Sequence, residues 1–229
     1  MSEGLDPAEL ALARAHRALA QIWIDFESAL MTVPMVARLH ARKWRIEDYR
    51  RLLVNLRQQV VEGSRWISRA ASNLGAEHEE LRSLFVRHAQ AEHRDYCLLE
   101  DNYVATGGNR DDIVSAPKNI GSEALSAFMY QAASKPDPVG LLGAMFIIEG
   151  LGNRIAGPWS QIIAEQLSLP DEAIGFFLYH VENDSDHLDM FEDAMRLAVT
   201  SEVVGADIAR HARIVARLYR LQLEEIDNV

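Results

Sequence analysis

Residues 139–152 read VGLLGAMFIIEGLG: ten apolar or glycine positions in a row, then a carboxylate, Glu149. A helix that is apolar on every side has to be covered by other helices. Ten residues is about half of what a bilayer span needs. The run therefore predicts a buried core helix and no membrane association. It starts near Pro138 and reaches Leu167, with a kink expected between Gly150 and Pro158.

On either side, Pro and Gly punctuate long stretches with apolar residues at helical spacing, and no run alternates β-branched residues between hairpin turns. A first helix is predicted from Pro7 to Leu30, a second from Ile46 to Leu74, and a third from Glu77 to Thr106, stopped by Gly107 and Gly108. A short helix follows from Ser122 to Ala133. Beyond the core helix, two more run from Asp171 to Val199 and from Ser201 to Ile226. With no internal repeat and no Gly- or Ser-rich linker, this is an all-α, single-domain seven-helix bundle over residues 1–229.

The chain has 23 Lys and Arg against 34 Asp and Glu, a formal charge of −11 that argues against a nucleic-acid or anionic-membrane partner. A chain this long buries enough surface to fold without a structural metal, so any metal serves chemistry. The single cysteine, Cys97, excludes an internal disulfide and fits a reducing compartment. The acidic start, MSEGLDPAEL, lacks the basic and apolar regions of a signal peptide. A cytoplasmic location is expected.

Three local patterns carry chemistry. In HVENDSDH, His180, Asp184 and His187 stand at i, i+4 and i+7, on one face over two helical turns. Two imidazoles and a carboxylate suit iron, manganese or zinc. Glu149, buried by its apolar neighbours, needs compensation, since an unpaired buried carboxylate costs several kcal/mol or protonates. Arg154, Arg57 or a metal ion would each supply it. In HAQAEHRDY, His88, Glu92 and Asp95 form a further i, i+4, i+7 stripe, although the surrounding charges also fit a solvated face. Carboxylates and His converging from facing helices are how bundles build dimetal sites. The GluxxHis pair of ferritin-like centres is absent.

These elements give the chain a resemblance to the heme-oxygenase-like diiron oxidases, a branch of the seven-helix fold shared with thiaminase-type and pyrroloquinoline-quinone-synthesis proteins. The resemblance runs from Ile46 to Met195 and rests on HVENDSDH, on Glu149 in MFIIEG, and on HAQAEHRDY with Glu92 in the Glu position. It departs at Asp95, where relatives place a histidine three residues after the Glu. Either Asp95 is an oxygen ligand, or His88 supplies the nitrogen, or one metal position is weak or lost. Glu62 is a further candidate bridging ligand. The resemblance implies two iron ions, with manganese as the alternative, held by Glu92, Glu149, His180, Asp184 and His187. It also implies O2 as co-substrate, a small organic substrate such as an amino acid or fatty acid derivative, and no catalytic side chain beyond the ligands. Relatives are frequently dimers, so a homodimer is expected.

Tyr130, Met145, Phe146 and Phe177, with Phe176, are candidates to line the substrate pocket, though aromatic and Met stripes usually form plain core. Three rival readings stand beside the oxidase. A heme protein would use His16 as axial ligand, but Arg14 and Arg17 flank it and HVENDSDH goes unexplained. A thiaminase-like hydrolase would use Cys97 as nucleophile. A non-catalytic helical protein would use none of these groups.

Overall fold

The computed structural model describes the backbone of residues 6–228 and the side chains of all of these except 182–188. Eleven α-helices and no strand are found among the described residues. They run α1 (Pro7–Leu30), α2 (Pro34–His40), α3 (Ile46–Asn73), α4 (Glu79–Glu92), α5 (Tyr96–Ala105), α6 (Arg110–Ser115), α7 (Ile120–Ala133), α8 (Leu142–Leu151), α9 (Gly157–Leu167), α10 (Gly175–Ala198) and α11 (Glu202–Glu224). All-α architecture and most predicted boundaries hold to within a few residues. The difference in number comes from two short added helices, α2 and α6, and from two predicted long helices that divide.

Local chemistry sets the ends. The Asp6 carboxylate accepts from the Ala8 N–H (3.2 Å) with Pro7 in the first turn, and Asn109, Asn119 and Ser201 cap α6, α7 and α11 in the same way. Gly107, at φ +82°, terminates α5 in the left-handed region. The third predicted helix divides at residues 93–95, with no Gly or Pro to announce it. There the ladder tightens to i→i+3 bonds, Cys97 N–H to Arg94 O (2.9 Å) and Leu98 N–H to Asp95 O (3.0 Å). The stripe through His88, Glu92 and Asp95 is therefore not continuous: Glu92 ends α4 and Asp95 precedes α5.

α8 occupies the centre, packed against α11 and α10, while α11 also carries α1 and α7. Nearly every α8 side chain is buried, as its sequence requires. Gly143 makes the contact possible, because a Cβ there would sit 2.0 Å from the Ile208 carbonyl oxygen of α11. Trp23 of α1 closes on α8 at Phe146 and Gly150, and Phe26 beside it meets Tyr219 of α11; both are almost wholly buried. Each such aromatic contributes about 2–3 kcal/mol through burial. The segment Val139–Leu167 is long and apolar enough to cross a membrane by composition alone, yet most of it is enclosed by other helices.

The expected kink after α8 is a π-helical turn, Gly152–Ala156, followed by Gly157 and Pro158 at the start of α9. Proline cannot donate to the ladder and forces the register to widen there. This turn begins three residues after Glu149.

Candidate metal centre

Glu149 on α8 meets His88 on α4, with Nε2 to Oε1 at 3.1 Å, and both side chains are about nine-tenths buried. Glu92 joins them: one ligand atom from each of His88, Glu92 and Glu149 lies within 4.8 Å of the others. In the second turn of α10, His180 approaches Asp95, Nε2 to Oδ2 at 3.9 Å. Three carboxylates and two imidazoles from four parts of the chain thus converge in one buried region.

Two anchors hold α10 in this position. Asn102 of α5, itself buried, donates to Glu172 O (2.7 Å) and accepts from Phe176 N–H (2.9 Å), tying α10 to the helix that follows Asp95. The Tyr49 hydroxyl of α3 donates to Ala173 O (2.6 Å). The Phe176 ring then stacks edge-on against His180, centroids 4.4 Å apart, limiting the imidazole's rotation.

The electrostatics of the cluster suit a cation. Burial is the main cause that pushes the Glu92 carboxyl up to about 7; the neighbouring Glu149 and Asp95 charges push the same way, with His88 and His180 opposing. Among the described residues, the groups that act most on Glu92 are these carboxylates and imidazoles. The two cations that might have compensated Glu149 are engaged elsewhere. Arg57 binds Glu100 at 3.0 Å, and Arg154 lies over the Trp23 ring at 5.3 Å. Buried carboxylates in excess of the nearby positive charge, mixed with imidazole, fit a divalent metal of borderline hardness such as iron or manganese.

Of the other predicted ligands, Asp184 and His187 fall on α10, and their side chains lie outside the described residues. Glu62 stands apart from the cluster. Its carboxylate accepts from Lys118 Nζ (2.6 Å) and Ser126 Oγ (3.1 Å), contacts Tyr130, and is held below the usual carboxylate range by these bonds. Because α3 turns Glu62 toward α7, it has the cation it needs there. Tyr130 is consequently a partner of Glu62. Phe146 packs between Trp23 and Phe191 in the core. Met145, by contrast, borders small cavities beside His88 and Glu149.

A cavity open to solvent lies against Glu92, Glu149 and His180. Its walls are otherwise mostly apolar and include Phe176, Phe177, Trp159 and three residues of the π-helical turn or its flank, Gly152, Ile155 and Ala156. π-Turns recur at functional sites because they re-aim the side chains around them. Sequence reading missed Gln59 of α3, which lines this cavity and two adjoining ones. No motif flags a lone Gln on an amphipathic helix. His16 pairs with Glu192 at 3.3 Å, and neither it nor Cys97 is among the cavity's described lining.

Solved structures share this architecture. A domain of unknown function with a heme oxygenase-like fold from Shewanella denitrificans OS217 superposes with a TM-score of 0.86 at 16% identity, covering 91% of this chain and 90% of its own. A TenA homolog from Pseudomonas syringae pv. tomato DC3000 gives 0.71 at 15% identity, with 92% of each chain covered. The TenA homologue from P. horikoshii OT3 gives 0.65 at 15%, covering 94% of this chain and 97% of its own. Together they establish the heme-oxygenase-like fold, which also hosts thiaminase-type proteins. No curated protein matches the sequence significantly. A family profile does, over residues 64–220, and with more than half of the chain inside that match, the protein belongs to the family described as iron-containing redox enzymes.

Proposed function

We propose that the protein is a nonheme iron oxidoreductase that uses O2 to oxidise a small, largely apolar substrate. The observation that carries this reading is the approach of His88, Glu92 and Glu149 donor atoms to within 4.8 Å of one another, buried beside a mostly apolar cavity. His88, Glu92, Asp95, Glu149 and His180 would hold the metal, with Asp184 and His187 added from α10. A carboxylate-rich set of this size has donors for two ions. Bound iron would supply the electrons that reduce O2.

The chain's own residues do the rest. The apolar walls exclude water and place the substrate against the cluster. Phe176 keeps the His180 ring edge-on, and the Asn102 anchors fix the start of its helix. In the metal-free chain burial holds the Glu92 carboxyl near 7, so it must release its proton before it can act as a ligand.

The test is metal analysis of protein from iron-supplemented cells, then anaerobic addition of Fe(II) and exposure to O2. About two iron ions per chain are expected, with a transient change in visible absorbance. Metal-free protein indifferent to Fe(II) would sink the reading. The alternative, a thiaminase-type hydrolase, finds support in the two TenA homologues but places its nucleophile, Cys97, away from the cavity's described lining. Thiamine turnover that vanishes in Cys97→Ala would favour it.

A further inference from the structure

A second cleft opens on the opposite face of α3 and has no lining residue in common with the cavity at the metal centre. Arg50, Arg51, Asn55 and Gln58 of α3 line it, and Tyr103 of α5 and the connection from α6 to α7 complete it. The chain carries a formal charge of −11, yet among the described residues this lining has two Arg and no carboxylate. Such a wall favours an anion. Arg50 is already ordered: Nε donates to Thr106 Oγ1 (3.2 Å) and Nη2 to the Thr106 carbonyl, leaving Nη1 over. Gly107 makes room for this guanidinium, since a Cβ there would lie 3.1 Å from Nη2. Ordering in advance removes part of the cost of binding. Arg51 acts on Asp227, but both oxygens of that carboxylate are held by Arg38, at 2.8 and 2.7 Å. The Arg51 charge is thus available to a ligand.

Further along α3 the wall offers acceptors. The Asn55 Nδ2 faces the Gln222 carbonyl (3.4 Å) and Ser122 Oγ (3.1 Å), and because a carbonyl only accepts, the amide is fixed in this orientation. Its Oδ1 then has no hydrogen-bond partner among the described residues, although Asn55 is only 6% exposed. A buried acceptor of this kind calls for a donor. Gln58 likewise turns Nε2 to the Ile113 and Ala116 carbonyls, which leaves its oxygen on the other branch. The two Arg precede Asn55 and Gln58 by four to eight residues, about 6–12 Å along the helix. The Tyr103 ring borders the same cleft, seated against Gly108, where a Cβ would lie 2.2 Å from the ring.

We propose that this cleft binds a 6-aminopurine nucleoside monophosphate. Arg50 and Arg51 take the phosphate, Tyr103 packs against the base, and the Asn55 and Gln58 oxygens accept from the exocyclic amino group. Guanidinium groups pair with phosphate through charge-assisted hydrogen bonds, and an aromatic ring offers its face to a base. In such a ligand the phosphate and the amino group stand at opposite ends, over a span comparable to that between the Arg pair and the amides. Two acceptors facing the base also refuse a carbonyl in place of the amino group. The site is separate from the metal centre and does not depend on how that centre is read.

Calorimetric titration of the full chain with AMP, IMP, adenosine and inorganic phosphate tests it. AMP binds; adenosine, which lacks the phosphate, and IMP, which presents an oxygen where AMP has its amino group, each bind at least about tenfold more weakly, the worth of one hydrogen bond to a charged group or one acceptor left unmet. Inorganic phosphate is weaker again and displaces AMP. Arg51→Ala brings AMP down to the level of adenosine with an unchanged melting temperature, because the side chain is exposed. Arg51→Lys keeps the charge and retains most of the affinity, which a misfolded variant cannot do. No binding of AMP, equal AMP affinity in the native protein and Arg51→Ala, or equal affinity for AMP and IMP would each overturn the proposal. Phosphate alone binding as tightly as AMP would overturn it too, since the cleft would then hold an anion without reading a base.

Discussion

His88 and Glu149 sit 3.1 Å apart, Nε2 to Oε1, across the contact between α4 and α8. A buried pair of this kind is either a structural ion pair or two ligands awaiting a cation, and the two cases respond oppositely to removal of charge. As ligands, Glu149→Gln lowers bound iron by at least about half, because one donor is lost, yet does not lower the melting temperature of the metal-free protein. As a structural pair, the same variant would melt earlier and bind iron normally. Elemental analysis beside a thermal melt separates them.

The Glu92 carboxyl sets a pH dependence of defined sign. Its folded value, about 7, lies above the ordinary 4.5. Between those two values the folded chain holds a proton that the unfolded chain has released, so stability of the metal-free protein falls as pH rises through this window. Glu92→Gln flattens that part of the profile. Metal affinity moves the other way, rising with pH through about 7 as the proton ceases to compete. Melts and Mn(II) titrations from pH 5 to 8, native against variant, give both slopes.

Glu62 gives a negative control. Its Lys118 and Ser126 partners account for its charge, so Glu62→Ala is expected to leave iron content unchanged. Breaking a partly buried ion pair costs about 1–3 kcal/mol, read as a lower denaturation midpoint. Loss of iron in this variant would return Glu62 to the ligand set.

Gly150, next to Glu149, leaves no room for a side chain: an added Cβ would lie 2.4 Å from the Trp23 ring. Gly150→Ala therefore displaces α8 from α1, at a cost of about 1–3 kcal/mol. Because Glu149 moves with that backbone, metal affinity falls as well. Urea denaturation and Mn(II) titration measure the two effects, and a destabilised variant with native affinity would show that the centre tolerates the shift.

Asp95 follows Glu92 by three residues, where the resemblance leads one to expect a histidine, and the structure brings it to His180 at 3.9 Å. If it is a ligand, Asp95→Asn reduces the metal count per chain without abolishing it, while His88→Ala reduces it independently. Metal stoichiometry by mass spectrometry under native conditions distinguishes one retained ion from two.

The sequence by itself determined the helical class, the central position of the VGLLGAMFIIEG helix, and most helix ends, because apolar periodicity and capping residues act over a few residues. It also named His88, Glu92, Asp95, Glu149 and His180, since buried carboxylates and imidazoles are unusual enough to be noticed one by one. It did not foresee the break at residues 93–95, where no local signal competes with helix continuity and only packing separates Glu92 from Asp95. It grouped Glu62 with the ligands and Tyr130 and Phe146 with the pocket because spacing along a helix does not say which neighbour a face will meet. Those choices belong to tertiary structure: Lys118 captures Glu62, Arg57 and Arg154 turn away from Glu149, and Gln222 holds Gln59 in place. Each is a contact between residues far apart in the chain, and no local pattern encodes it.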